Sequence, residues 1–377
     1  MKSIIDYSHY KAESYDEKNA FLEKLVEIED ISEWSDVDSK NIVFSDNPNA
    51  NPFQTMGGDE FEGVLCSFDG GNNFVPWRYT ALPSVLNRCE IYGNGMERLF
   101  LANKRLFSDT LNRTLELVPT NKRKMKALVQ DGKLSALHSG RYARISQLEI
   151  FEIVQDYLDE FEYNTFINAN WSWEQTRATY EIEEPKLFDT YNKLLGKYFG
   201  SRGRTATVLL TVVTSDVCES AVQFRPSITI DTYKLPLTGI ASVKHIGNVS
   251  METVEKKLYS VFASFEAACR SLAALADIKV INKKNVMIKA FADIKFPQKY
   301  AADICEKNEN HPATALDCYV AMTEALNVVA NSSSVDASAM LVLEEALTKV
   351  ILYSAKKWSS FDIPGTVSWG AKSRTMK

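Results

Sequence analysis

Thr205-Ala206-Thr207-Val208-Leu209-Leu210-Thr211-Val212-Val213-Thr214 decides the fold class. The run is β-branched and apolar, which suits a strand buried within a sheet. The next segment, Ser220 to Asp231, places Ala221, Phe224, Ile228 and Ile230 among polar neighbours and reads as a second strand. Gly239 to His245 reads as a third. A long helix then runs from Ser250 or Met251 to about Asp277, with Val254, Leu258, Val261, Phe265, Ala268, Leu272 and Leu275 spaced by threes and fours. The expected fold class is therefore α+β. It has a central antiparallel sheet built on a β-β-β-α unit with a long packed helix, and a C-terminal helical subdomain.

Working upstream, Asp16 to Ile31 reads as a helix, and Ser32 to Gly58, rich in Asp, Asn, Ser and Pro, as a long acidic loop or arm. Phe61 to Phe68 is strand-like and ends in the turn Asp69-Gly70-Gly71-Asn72-Asn73. Helices are expected at Pro83 to Tyr92 and Met96 to Leu117. A short strand is expected at Lys126 to Val129, turning at Asp131-Gly132. Ser146-Gln147-Leu148-Glu149 is a capping box that opens another helix. Phe166 to Trp173 and Ala178 to Ile182 read as strands, and Leu187 to Tyr198 as a helix. Downstream, Pro297 to Glu306, Ala313 to Ala330 and Val335 to Lys357 read as helices. The expected organisation is an acidic N-terminal arm (1–69), an α+β core (70–290), a helical subdomain (291–364) and a basic tail (365–377).

The composition, 45% apolar and 24% charged over 377 residues, excludes a disordered or low-complexity chain. The net charge of −6 hides a split: residues 1–69 hold 16 acidic and 5 basic side chains, so the remainder is net positive. The excess is concentrated between Arg98 and Arg144, where eleven Lys or Arg face three acids. The six cysteines form no CxxC pair, and with four histidines no zinc-type spacing arises, so buried reduced thiols are expected. Met1 to Tyr15 lacks the apolar core of a signal peptide, and no run approaches the ~18 apolar residues of a membrane span. A cytoplasmic protein without membrane contact is expected.

Clustered cations suit a phosphate backbone, because each neutralised phosphate releases counterions. Lys122, Arg123, Lys124, Lys126, Arg141 and Arg144 are the candidates in the basic stretch. Arg202 and Arg204 flank Gly203 in Ser201-Arg202-Gly203-Arg204-Thr205, and Lys244 lies in Val243-Lys244-His245-Ile246-Gly247-Asn248. Tyr142 is the candidate for stacking on an unpaired base, with Phe100, Phe107 and Trp171 as others nearby. The competing reading is a solvated surface whose cations pair with the acidic first 69 residues. His245 could move a proton, but no acidic partner is fixed by the sequence, and turn or cap chemistry accounts for that segment. Asp59, Glu60 and Glu62 could hold Mg²⁺ or simply be exposed. Trp171 and Trp173 suit core or interface packing. There is no GxxxxGK[ST] loop. No catalytic residue, metal or cofactor is assigned.

Met125-Lys126-Ala127-Leu128-Val129, Ser139-Gly140-Arg141-Tyr142 and the helix from Ser146 recur in a recognisable order. Thr214-Ser215-Asp216, Ala221-Val222 and Lys244-His245-Ile246-Gly247-Asn248 follow them before the long helix. Over about residues 85–280 this order resembles a family of uncharacterised phage- and plasmid-encoded proteins, a domain of unknown function. The resemblance implies a mobile-element origin more than an activity. The three-stranded sheet followed by a long helix is similar in architecture to phage single-strand annealing proteins. That similarity implies a homo-oligomer that holds single-stranded DNA in a basic groove and anneals it without nucleotide, in the service of DNA recombination. The alternative expectation is a protein-interaction module, such as an inhibitor of a host defence complex, that uses residues 1–69 to engage a protein partner.

Overall fold

A computed structural model describes residues 12–48, 56–57, 60–91, 93–161, 163–199, 206–217, 219–230, 233–330 and 337–369. The fold is α+β, with two large sheets clad by helices.

The first sheet runs in the order Ser32–Asp38, Lys124–Gln130, Lys133–Ser139, Val75–Arg78, Glu60–Ser67, Val43–Asp46, and Met56–Gly57 pairs with Glu60–Ser67. Its pairings are antiparallel except where Trp77 meets Leu134. The hairpin between Lys124–Gln130 and Lys133–Ser139 turns on Asp131 (φ 51°) and Gly132 (φ 68°). Positive φ at both central residues matches the right-handed twist of the strands, which is why Asp-Gly stands there. Helices Ala81–Arg88, Asn94–Ala102 and Lys104–Glu116 cover one face of this sheet. Phe100, Phe107 and Leu111 pack there against Phe44, Trp77 and Met125. Phe100 and Phe107 are thus core residues and cannot stack on bases.

The central sheet runs Glu13–Tyr15, Tyr163–Trp171, Thr176–Glu183, Ala206–Thr214, Val222–Ile230, Tyr233–Pro236, and Ala241–Val243 also pairs with Val222–Ile230. The deciding run pairs antiparallel with the next strand, with Val212 opposite Phe224 and Val208 opposite Ile228. Leu210, Phe224 and Tyr180 project to one face, where Val254, Leu258, Val261 and Leu272 fill the core. The long helix expected after His245 is broken at Ser264 into Met251–Ala263 and Phe265–Ala274. The Ser264 hydroxyl bonds the Val261 carbonyl at 2.9 Å, offering the backbone a local alternative to the helix.

Several expectations need correction. The stretch 32–58 is not an irregular arm where it is described: it supplies strands Ser32–Asp38 and Val43–Asp46 to the first sheet. Helix Lys18–Asp30 buries Phe21, Leu25 and Ile28 in the central core. The expected boundary at 69/70 falls in the turn between two paired strands. The boundary at 290/291 falls inside the helix Lys283–Asp293, whose Val286, Met287 and Phe291 join the same core as the C-terminal helices. The helix expected over Met96 to Leu117 is two helices, because Asn103 is extended and its side chain caps the second by accepting from the Leu106 N–H at 2.9 Å. Ser354 likewise starts a separate helix, Ala355–Phe361, after Ala337–Ile351.

Candidate cleft at the seam of the two sheets

The two sheets meet where the chain leaves Lys133–Ser139 and where it leaves Ala241–Val243. Gly140 lets the first crossing pass close to its neighbour strand: its N–H bonds the Lys124 carbonyl at 2.9 Å, and a Cβ there would meet that oxygen at 2.8 Å. Tyr142 then bridges to Ile246. The Ala143 N–H bonds the His245 carbonyl at 3.1 Å, and the Gly247 N–H bonds the Arg141 carbonyl at 2.9 Å.

The pairing of these segments brings His245 onto Tyr142, which already has His138 four residues before it, so two of the chain's four histidines meet one tyrosine. The Tyr142 ring lies 3.9 Å from His138 at 14° and 5.2 Å from His245 at 4°. Trp34 stacks at 5.5 Å from Tyr142 and 5.6 Å from His138. Tyr142 Oη is 3.2 Å from His245 Nδ1 and donates to the Asp216 carbonyl at 3.4 Å. His245 Nδ1 is also 3.3 Å from the Ala143 carbonyl. A carbonyl only accepts, so bonding it requires the proton on Nδ1, which leaves Nε2 with its lone pair. That Nε2 is buried and has no hydrogen-bond partner.

Burial sets the charge state of the group. It holds the His138 imidazole down at about 3 and His245 at about 4, so both rings are neutral near pH 7. Burial pushes the Asp216 carboxyl up to about 6, against the pull of the Gln147 amide, which donates to it at 2.6 Å, and of the Arg144 charge.

Tyr142, His138 and His245 line a cleft of about 570 Å³. This is within the range of sites that take small molecules. Arg88 and Lys244 bring positive charge to it, and Glu219 and Glu345 negative charge. Two exposed apolar side chains, Ile246 (57% exposed) and Val342 (63%), also line it.

The residues expected to contact nucleic acid divide accordingly. Lys126 lies directly opposite Asp36, and Lys124 opposite Asp38. Lys122 is paired with Glu90, and Arg144 with Glu29. Arg123 is half-buried and bonds the Val118 carbonyl at 3.4 Å. Arg141 and Lys244 are exposed, the first beside the seam and the second on the cleft. Arg202 and Arg204 lie outside the described residues. Tyr142 is only 4% exposed and already stacked with His138, His245 and Trp34, so it cannot take a base. Trp171 is buried against Trp173 and serves packing.

Asp59 also lies outside the described residues, and among those described no three His, Cys, Asp or Glu side chains gather as a metal site. Cys66, Cys89, Cys269, Cys305 and Cys318 are buried free thiols, as expected, and burial raises each. Among the described residues no helix is long and apolar enough to cross a membrane. Sequence reasoning missed Arg88, His138 and Asp216. The available signal was two histidines in strand contexts, Leu137-His138-Ser139 and Lys244-His245-Ile246. Comparison with protein-family models, curated proteins and solved structures returns no match, so fold and site geometry alone carry the functional reading.

Proposed function

We propose that the protein binds single-stranded nucleic acid at the seam. A phosphate is held by Arg88 and Lys244, and an unpaired base or sugar hydroxyl donates to His245 Nε2. The observation that carries this reading is the coincidence, in one cleft of about 570 Å³, of two cations with a buried neutral acceptor that lacks a partner. A buried acceptor left unsatisfied costs about 1–3 kcal/mol, which a donating ligand recovers. Ile246 and Val342 supply apolar surface for the face of a base. A base stacked inside a duplex cannot enter such a cleft, whereas an unpaired one can. Arg141, exposed beside the seam, adds a third cation to a cleft whose Arg88 and Lys244 are otherwise matched by Glu219 and Glu345.

The reading of residues 1–69 as a free acidic arm for a protein partner has less support. Asp36 and Asp38 face lysines of the same chain, and Glu29 holds Arg144. Fluorescence anisotropy with a labelled single-stranded oligonucleotide, across a salt series, tests the proposal. Binding that weakens with salt is expected; no binding at low salt overturns it.

A further inference from the structure

The central sheet has a second face, opposite Leu210, Phe224 and Tyr180, and it carries an unbalanced charge. Arg177, Arg225 and Lys234 reach Glu344 of helix Ala337–Ile351 at 3.8, 3.6 and 3.7 Å. Arg225 and Glu344 are each 3% exposed. Three cations thus share one carboxylate. The next acid on the helix, Glu345, is exposed, pairs with Lys349 at 3.4 Å and adds a weaker attraction for Arg225 than Glu344 does.

The hydrogen-bonding capacity of the cluster is also incompletely used. Arg225 Nη1 donates to Gln223 at 2.6 Å, and Nη2 to the Leu341 carbonyl at 3.4 Å. Its Nε and the Ser227 hydroxyl are buried without a partner. Lys234 donates to Thr211 at 3.4 Å. Buried charge is costly unless matched, and guanidinium forks match tetrahedral oxyanions well. Gln223 and Leu341, which hold Arg225, also line the seam cleft, so the cluster lies one side chain behind it.

We propose that Arg177, Arg225 and Lys234 form a second anion site, for a phosphate-class dianion, in which the Glu344 carboxylate is a built-in competitor. The ligand enters by displacing that carboxylate. A dianion would neutralise two of the three positive charges that remain once Glu344 has swung away with its own charge. The site does not depend on the reading of the seam cleft.

Calorimetric titration with inorganic phosphate at low ionic strength tests this. Glu344→Gln removes the competitor, and at least tenfold tighter binding than wild type is expected. Adding Arg177→Met and Lys234→Met should erase that gain, whereas adding Arg88→Ala and Lys244→Ala should leave it intact. No gain in Glu344→Gln overturns the proposal. So does a gain that survives removal of Arg177 and Lys234, or one that disappears with Arg88 and Lys244. Should Glu344→Gln fail to fold, Glu344→Asp keeps the charge but retracts it; at least a threefold gain is expected, and none overturns the proposal.

Discussion

Asp36 and Lys126 are direct partners across the antiparallel pairing of Ser32–Asp38 with Lys124–Gln130, and Lys126 in turn is opposite His138 on the next strand. Acid from the N-terminal segment therefore lies over the basic strand, two strands from the imidazole of the seam. Asp36→Asn with Asp38→Asn should remove the negative charge set across from Lys126 and Lys124. Oligonucleotide affinity at low salt should rise severalfold, while stability falls by no more than about 1 kcal/mol, the scale of cross-strand charge pairs. Anisotropy and thermal melts of the double variant check both.

Acid stability follows from the buried titrating groups. His138 and His245 are held down, so between about pH 4.5 and 6 the unfolded chain binds two protons that the folded one does not. Asp216 is pushed up to about 6, so over the same window the folded chain holds one proton that the unfolded one lacks. Glu344, which burial raises but Lys234, Arg177 and Arg225 pull down to about 2 overall, enters at the lower edge of that window and below it, where it steepens the rise of stability with pH. The balance is one proton: stability should rise with pH by about 1.4 kcal/mol per unit. Asp216→Asn removes the opposing contribution, so the slope should approach two protons. Denaturant unfolding at several pH values measures it, and an unchanged slope in the variant would contradict the assignment.

Tyr142 should show two separable effects. Tyr142→Phe removes the hydroxyl between His245 Nδ1 and the Asp216 carbonyl at a cost of about 1 kcal/mol, leaving the ring stack in place. Tyr142→Ala removes the ring between two imidazoles and should cost about 3 kcal/mol or more. Equal effects in chemical denaturation would mean that the stack contributes nothing.

Gly140→Ala should destabilise by roughly 1–3 kcal/mol, because the methyl group meets a backbone carbonyl that cannot step aside. Gly95→Ala, at a helical position with open space around it, is the control and should be neutral or slightly stabilising.

Local features of this chain are legible in its sequence, and long-range ones are not. The deciding strand, the helix opened by Ser146 and the Asp131-Gly132 turn are each specified by neighbours in sequence. Their signals are β-branching, a cap whose hydroxyl accepts from the Glu149 N–H at 3.3 Å, and a positive-φ pair. Ser32–Asp38 reads as loop because an edge strand rich in Ser and Asp has little apolar alternation, and its pairing with Lys124–Gln130 comes from some 90 residues away. Lys283–Asp293 gives no clear helical signal because it is buried nearly all round and so lacks a one-sided stripe. The seam is hidden for the same long-range reason: His138 lies only four residues before Tyr142, but His245 reaches it from 103 residues away, across the pairing of Tyr142 with Ile246. The basic stretch is visible as charge, but only the fold pairs Lys122 with Glu90 and Arg144 with Glu29 and sets Asp36 and Asp38 across from Lys126 and Lys124.

The most direct test of the central claim is the salt dependence of single-stranded oligonucleotide binding in wild type and in Arg88→Ala with Lys244→Ala. If these two cations hold phosphate at the seam, affinity should drop at least tenfold at low salt. The slope of log K against log salt should shrink by about 0.7, the share of the one phosphate of a single strand that these cations no longer neutralise. An unchanged slope with unchanged affinity would contradict the account and move any binding away from the cleft.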